Sequence, residues 1–353
     1  MLLRVTLFLL ALLTPLGVAS ADHVIIIRLS YKVVVNPADG TRPPGATDAA
    51  IDSAVAQMNV LLDSFGRGYR FFRVDPITEV GNVGGLARPN PSHYYGINML
   101  EVDGARGQME NDAVDNRSLY AWNSSAINIY INQANGGGQC AFPNEQLIAI
   151  GGGSAGNGSL QLHEIGHFFD LCHTQGCSCG CCSTTGETGE CYTSPGDDEV
   201  ADTLPDLACW DQNDIAMHTF GVFYTQLTLP LREQVDNVFF NIMSYHAGGC
   251  GHAGGGATTE RLTEQQLDHW SDTALFVRAS VCDGRTLQVS ASASNTFVNG
   301  NSLFAYHTIP SALNASTATD ILLIRDGNYP GPLTITRPIT LRTTRGSVAR
   351  IGQ

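Results

Sequence analysis

The chain has 353 residues, 43% of them hydrophobic and only 15% charged. That is enough for a sizeable core and too apolar for global disorder. Its 33 acidic residues outweigh 19 basic ones, for a net charge of −14; the resulting field disfavours nucleic acid and anionic membranes as partners. Five of the ten cysteines fall between Cys177 and Cys191, a cluster that means metal binding in a reducing compartment and disulfides in an oxidising one.

The N-terminus points to the oxidising case. Residues 1–21, MLLRVTLFLLALLTPLGVASA, carry Arg4, an apolar run from Leu7 to Leu13, and a small-x-small site at Ala19-Ser20-Ala21. This pattern is that of a cleaved signal peptide. The apolar run is short of the ~20 residues that span a bilayer, so the reading is a secreted, extracellular protein beginning near Asp22, with no membrane insertion after cleavage. So little chain precedes the first strand that latency through an N-terminal pro-segment is not expected. Asn-x-Ser sequons stand at Asn116, Asn123, Asn157 and Asn314.

The β-branched run His23–Val35 predicts a long strand. From Ala46 to Phe65, Ile51, Val55, Met58, Leu61 and Leu62 share one helical face, with Thr47 or Asp48 as cap and Gly66 and Gly68 as stop. Tyr69–Val74 predicts a second strand and Ala126–Asn132, which alternates apolar and polar residues, a third; 75–120 give no clear element. Gln139–Pro143 and Leu147–Ile150 predict short strands around a turn. Gly151–Gly158 reads as a loop, since it lacks the Lys-Ser/Thr ending of a phosphate loop, and a helix begins near Ser159.

That helix contains His163-Glu164-Ile165-Gly166-His167. Residues i and i+4 share a helical face, so both imidazoles can reach one ion, while Glu164 can take a proton from a water activated there. His173 follows six residues after His167 and becomes a third ligand if the chain leaves the helix and turns back. Three histidines leave one tetrahedral zinc position open, as in catalytic sites. Attack on a carbonyl, hence peptide-bond hydrolysis, is the chemistry such a site suits.

HEIGHFFDLCH resembles the HExxHxxGxxH motif of the metzincin zinc peptidases. Downstream, Asn241-Ile242-Met243-Ser244-Tyr245 resembles their Met-turn, whose methionine, here Met243, packs beneath the zinc histidines. AINIYIN, Asp198-Glu199-Val200-Ala201-Asp202-Thr203 and Leu262-Thr263-Glu264-Gln265-Gln266 are most similar to the pappalysin-type branch. The resemblance spans about residues 23–275. It implies an α+β catalytic domain, with a twisted sheet and active-site helix above an irregular lower subdomain. It further implies zinc in the cleft, a protein or peptide substrate extended along an edge strand, and Tyr245 stabilising the oxyanion or ligating zinc at rest. One position departs: Asp170 stands where the family has the glycine that turns the chain toward the third ligand. Asp tolerates a left-handed backbone, so the turn remains feasible, and its carboxylate could also hold a zinc histidine.

Cys172, Cys177, Cys179, Cys181, Cys182 and Cys191 read as a disulfide-stapled insertion at the cleft rim, with a second metal site or a zinc-capping thiolate as alternatives. Cys209 and Cys250 resemble a family disulfide flanking the Met-turn. Asp197, Asp198 and Asp202 are hard oxygen donors and candidate calcium ligands, or else a solvated acidic loop. Thr263-x-x-Gln266 predicts a capping box for a helix running to about Val277. From Asp283 the composition shifts, and Ile321–Ile324, Gly327–Tyr329, Leu333–Ile335 and Ile339–Leu341 predict short strands. They resemble the first coils of a pectin-lyase-like parallel β-helix, too few to bury a core alone. The expected organisation is a signal peptide at 1–21, a zinc endopeptidase domain at 22–282 and a partial β-helix-like segment at 283–353. The rival is a non-catalytic adhesion module that keeps the fold.

Overall fold

The computed structural model describes residues 24–99, 102, 104–133, 137–140, 146–176, 198–207, 210–246 and 260–352. Residues 1–21, read above as a signal peptide, the cysteines from 177 to 191, Asp197, Cys209 and Cys250 lie outside these described residues.

A six-stranded sheet organises the N-terminal half. Its central strand β1 (Ile25–Val34) pairs in parallel with β2 (Tyr69–Arg73) and β3 (Thr78–Val80) on one edge and with β4 (Ile127–Asn132) on the other. Next come β6 (Leu147–Gly151), parallel to β4, and β5 (Gly138–Gln139), which runs antiparallel to β6 at the sheet's edge. Helix α1 (Asp48–Phe65) starts where the Thr47 side chain accepts the Ala50 N–H and stops at Gly66, whose φ of 71° is left-handed. It packs with α3 (Gly158–Phe168) on one face of the sheet, where Ile27, Leu29, Tyr31, Ile129 and Ile150 meet Met58, Leu62, Leu162 and Ile165.

The alternation in β4 does not mark a solvated face. All six of its residues are buried, because the segment carrying α2 (Ala105–Asp115) covers the far side with Tyr94, Met99, Met109 and Tyr120. The polar positions are hydrogen-bonded instead: Asn132 Nδ2 donates to the carbonyls of Tyr94 and Ile97 at 3.0 and 2.8 Å. The region at 75–120 thus contains β3 and α2. Two further helices, α4 (Gln212–Phe220) and α5 (Leu229–Phe239), pair around Ile215, Leu227, Val235 and Val238. Among the described residues no helix is long and apolar enough to cross a membrane.

Helix α6 (Glu264–Phe276) begins with the expected capping box between Thr263 and Gln266. Beyond it, β7 (Thr286–Val289), β8 (Ile321–Ile324) and β10 (Thr340–Thr343) stack in parallel, as do β9 (Gly327–Tyr329) and β11 (Ala349–Ile351). The short helix α7 (Ile309–Ala315) packs against β7 and β8. Leu333–Ile335 is not a strand; Ile335 is 45% exposed, with no core to hold it. The segment is joined closely to the rest. Ile321 lies in the same core as Ile25 and Trp270, and Leu275 of α6 lies in the C-terminal core. Asp268 of α6 binds Arg67 at 2.9 Å, Gln288 at 3.1 Å and Arg325 at 2.5 Å.

Of the four sequons, three spend their side chains internally. Asn116 donates to the Asp112 carbonyl, Asn123 donates to Asp75, and Asn157 caps α3. Asn314 is exposed on α7.

Candidate metal centre

Helix α3 is capped by Asn157, whose Oδ1 accepts the Leu160 N–H at 3.1 Å. Its Gln161–Phe168 stretch is fully buried, so the two histidines project into the interior. Past Phe168 the chain reverses. Asp170 adopts φ 63°, its N–H reaches the His167 carbonyl at 2.9 Å, and the Leu171 N–H reaches the Gly166 carbonyl at 3.0 Å. This left-handed residue does the work the motif's glycine does, and His173 comes back over the helix. The Asp170 carboxylate does not hold a histidine. Those roles are taken by backbone carbonyls: His163 Nδ1 donates to Ile242 O and His167 Nδ1 to Leu171 O, both at 2.7 Å.

Because Nδ1 is the donor in His163 and His167, Nε2 carries the lone pair in each. The three Nε2 atoms stand 3.2, 3.2 and 3.0 Å apart. Lone pairs that converge so closely repel unless a cation sits among them. Tetrahedral Zn–N bonds of ~2.0–2.1 Å call for nitrogen separations of about 3.3 Å, close to those found. The donor set therefore fits zinc. Burial also holds all three histidines neutral, as metal binding requires: His163 is lowered, His167 falls to about 3, and His173 lies well below its ordinary value. Among the described residues these three form the one group of three or more metal-capable side chains.

Glu164, next in the chain to His163, is buried against β5. Its Oε2 accepts the Cys140 N–H at 2.7 Å, and a Cβ on Gly138 would fall 2.6 Å from its Cγ. Burial raises its carboxyl to about 8, opposed by the Cys140 hydrogen bond. Met243 is fully buried, and its sulfur occupies the space a Cβ on Gly166 would need. Helix and Met-turn thus touch through a glycine. The Tyr245 ring lies 4.6 Å from the His173 ring and 6.0 Å from that of His163.

The described acidic candidates, Asp198 and Asp202, meet protein donors, while Asp202 Oδ1 is buried without one. Asp198 accepts from Thr203 and, at 2.7 Å, from Gln266 Nε2; Asp202 accepts the Gln265 N–H at 2.9 Å. They anchor the start of α6. Cys172, beside His173, is disulfide-bonded. Cys140 and Cys282 are buried outside disulfides, and burial pushes the Cys282 thiol up to about 12.

Spacing along the chain did not reveal Gly138 and Cys140 as neighbours of Glu164, nor a buried cluster of Thr174, Asp206 and His246 beneath the site. These contacts join residues 24 to 40 positions apart. The one local cue was that Thr174 and His246 each follow a residue already singled out.

No protein-family profile matches the chain, and no curated protein does. Among solved structures, mirolysin in complex with a compound is similar at 19% identity and a TM-score of 0.45, covering 74% of this chain and 96% of that one. Tannerella forsythia mature mirolysin in complex with a cleaved peptide is similar at 19% identity and a TM-score of 0.44, covering 73% and 95%. At that distance the likeness transfers no function.

Proposed function

We propose that the protein is a secreted, zinc-dependent endopeptidase of metzincin type. The observation that carries this reading is the convergence of three neutral, buried imidazole nitrogens beside a buried glutamate. His163, His167 and His173 would hold the ion, which when bound supplies Lewis acidity that polarises a carbonyl and acidifies water. Glu164 takes the proton of the attacking water and passes it to the leaving amine. For this it must be ionised, a form the Cys140 N–H favours and burial opposes. Tyr245 stabilises the developing oxyanion from the His173 side.

The substrate is a protein or peptide in extended form. Among the described residues strand β5 ends the sheet order next to β6, and its Gly138 borders Glu164; we read this as the sheet edge for strand-like pairing of the substrate beside the general base. The chain's net charge of −14 favours basic or neutral substrates over acidic ones. The C-terminal parallel strands are read as the first coils of a β-helix.

The test is metal content with activity on a denatured protein such as casein. One equivalent of zinc per chain is expected, with cleavage stopped by a chelator and restored by zinc. Cleavage that survives complete metal removal would contradict the assignment.

A further inference from the structure

We infer that Asp206 is a positioning residue, a buried strut that fixes the third histidine and Tyr245 against each other; this rests on the peptidase reading above. Its carboxylate is fully buried, as are the side chains of Thr174 and His246. Oδ2 accepts from Thr174 Oγ1 at 2.6 Å, and His246 Nε2 lies 2.8 and 2.9 Å from the two oxygens. Oδ1 also accepts the Leu207 N–H at 2.8 Å. A carboxylate taken wholly out of water is costly unless its acceptor sites are filled. Two of the donors come from distant segments, at Thr174 and His246, so satisfying Asp206 holds those two segments to its own.

The identity of two donors gives the strut its role. Thr174 directly follows His173, and His246 directly follows Tyr245. One carboxylate thereby tethers the segment bearing the third nitrogen ligand to the segment bearing the tyrosine. A backbone bond from Thr174 N–H to the Met243 carbonyl at 3.2 Å runs alongside. His246 is held from its other side by Phe239, stacked at 5.4 Å and 19°. His163 and His167 are fixed by their own helix and by backbone carbonyls. His173 comes from a loop after the left-handed turn, and its position depends more on such a tie.

The two arms have separable consequences. In the full-length chain, Thr174→Val cuts the arm to His173 and keeps the side-chain shape. Zinc affinity against a competing chelator should fall about 10- to 100-fold, and the visible spectrum of the cobalt-substituted protein should shift. Thr174→Ser keeps the hydroxyl and should restore both. His246→Phe cuts the arm to Tyr245 and retains the stack on Phe239; zinc affinity and cobalt spectrum should hold while kcat falls about tenfold at unchanged KM. Should Thr174→Val fail to fold, Thr174→Ala is read in its place. Wild-type zinc affinity and cobalt spectrum in the Thr174 variant, or no rescue by Thr174→Ser, would overturn the strut. So would identical behaviour of the two arms. A wild-type chain that binds neither zinc nor cobalt would overturn the peptidase reading itself, and the strut with it.

Discussion

Single residues decide whether this fold can host its site. Asp170 shows how far a motif can bend: the turn after α3 needs a left-handed residue, and at φ 63° an aspartate supplies it without a glycine. Lys32, the only lysine in the chain, shows the opposite pressure. Its ammonium is 1% exposed and donates to Ser30 and Asn128, yet burial draws its pKa down to about 7, against the pull of Asp75. An unfolded lysine titrates near pH ~10.4. Between those values the unfolded chain holds the extra proton, so this residue's contribution to stability rises as pH rises from 7 toward 10. Lys32→Met should remove that slope, with the urea midpoints of the two proteins converging or crossing between pH 7 and pH 9.5. Parallel pH profiles would show that Lys32 titrates normally.

At the scale of elements, legibility followed local determinants. The strands β1, β2 and β4 announce themselves by β-branched runs; α1 and α6 announce themselves by caps and periodic apolar residues. Helix α2 does not, because its sequence ARGQMENDAVD has too few apolar residues to mark a face. Helix α7 is only seven residues long, with a proline at its second position. In the site, the His triad was readable because helical spacing and one turn bring it together. The contact of Glu164 with β5 was not, since it depends on how β5 joins the sheet.

Helix α6 ties the Met-turn to the acidic loop through Gln266. Its Oε1 accepts from Thr263 N–H and Asn241 Nδ2, while Nε2 donates to Asp198. Gln266→Ala removes the cap and strands two buried partners, so a loss of about 1–3 kcal/mol is expected in urea unfolding. A change under about 0.5 kcal/mol, the range of neutral surface substitutions, would show the network is dispensable.

Across the whole molecule, the segment from Asp283 onward is bound into the rest of the protein by more than sequence continuity. Asp283 Oδ1 accepts the Ile26 N–H at 2.6 Å, Tyr69 and Thr286 share a hydrogen bond, and Arg325 and Gln288 both reach Asp268. Ending the chain after Cys282 would strip Ile321 from the main core and Leu322, Ile324 and Leu287 from Leu275. The shortened chain should therefore unfold at a clearly lower temperature than the full chain and bind an apolar dye. An unchanged midpoint would mean that the composition shift at 283 marks an independent unit.

The account as a whole turns on Glu164. Its most direct test is Glu164→Gln beside His163→Ala, each assayed for zinc and for cleavage of a denatured protein. Glu164→Gln should retain one zinc and lose cleavage by at least about a hundredfold, in the range attributed to a positioned general base. His163→Ala should lose both. Wild-type cleavage by a zinc-loaded Glu164→Gln chain would contradict the account.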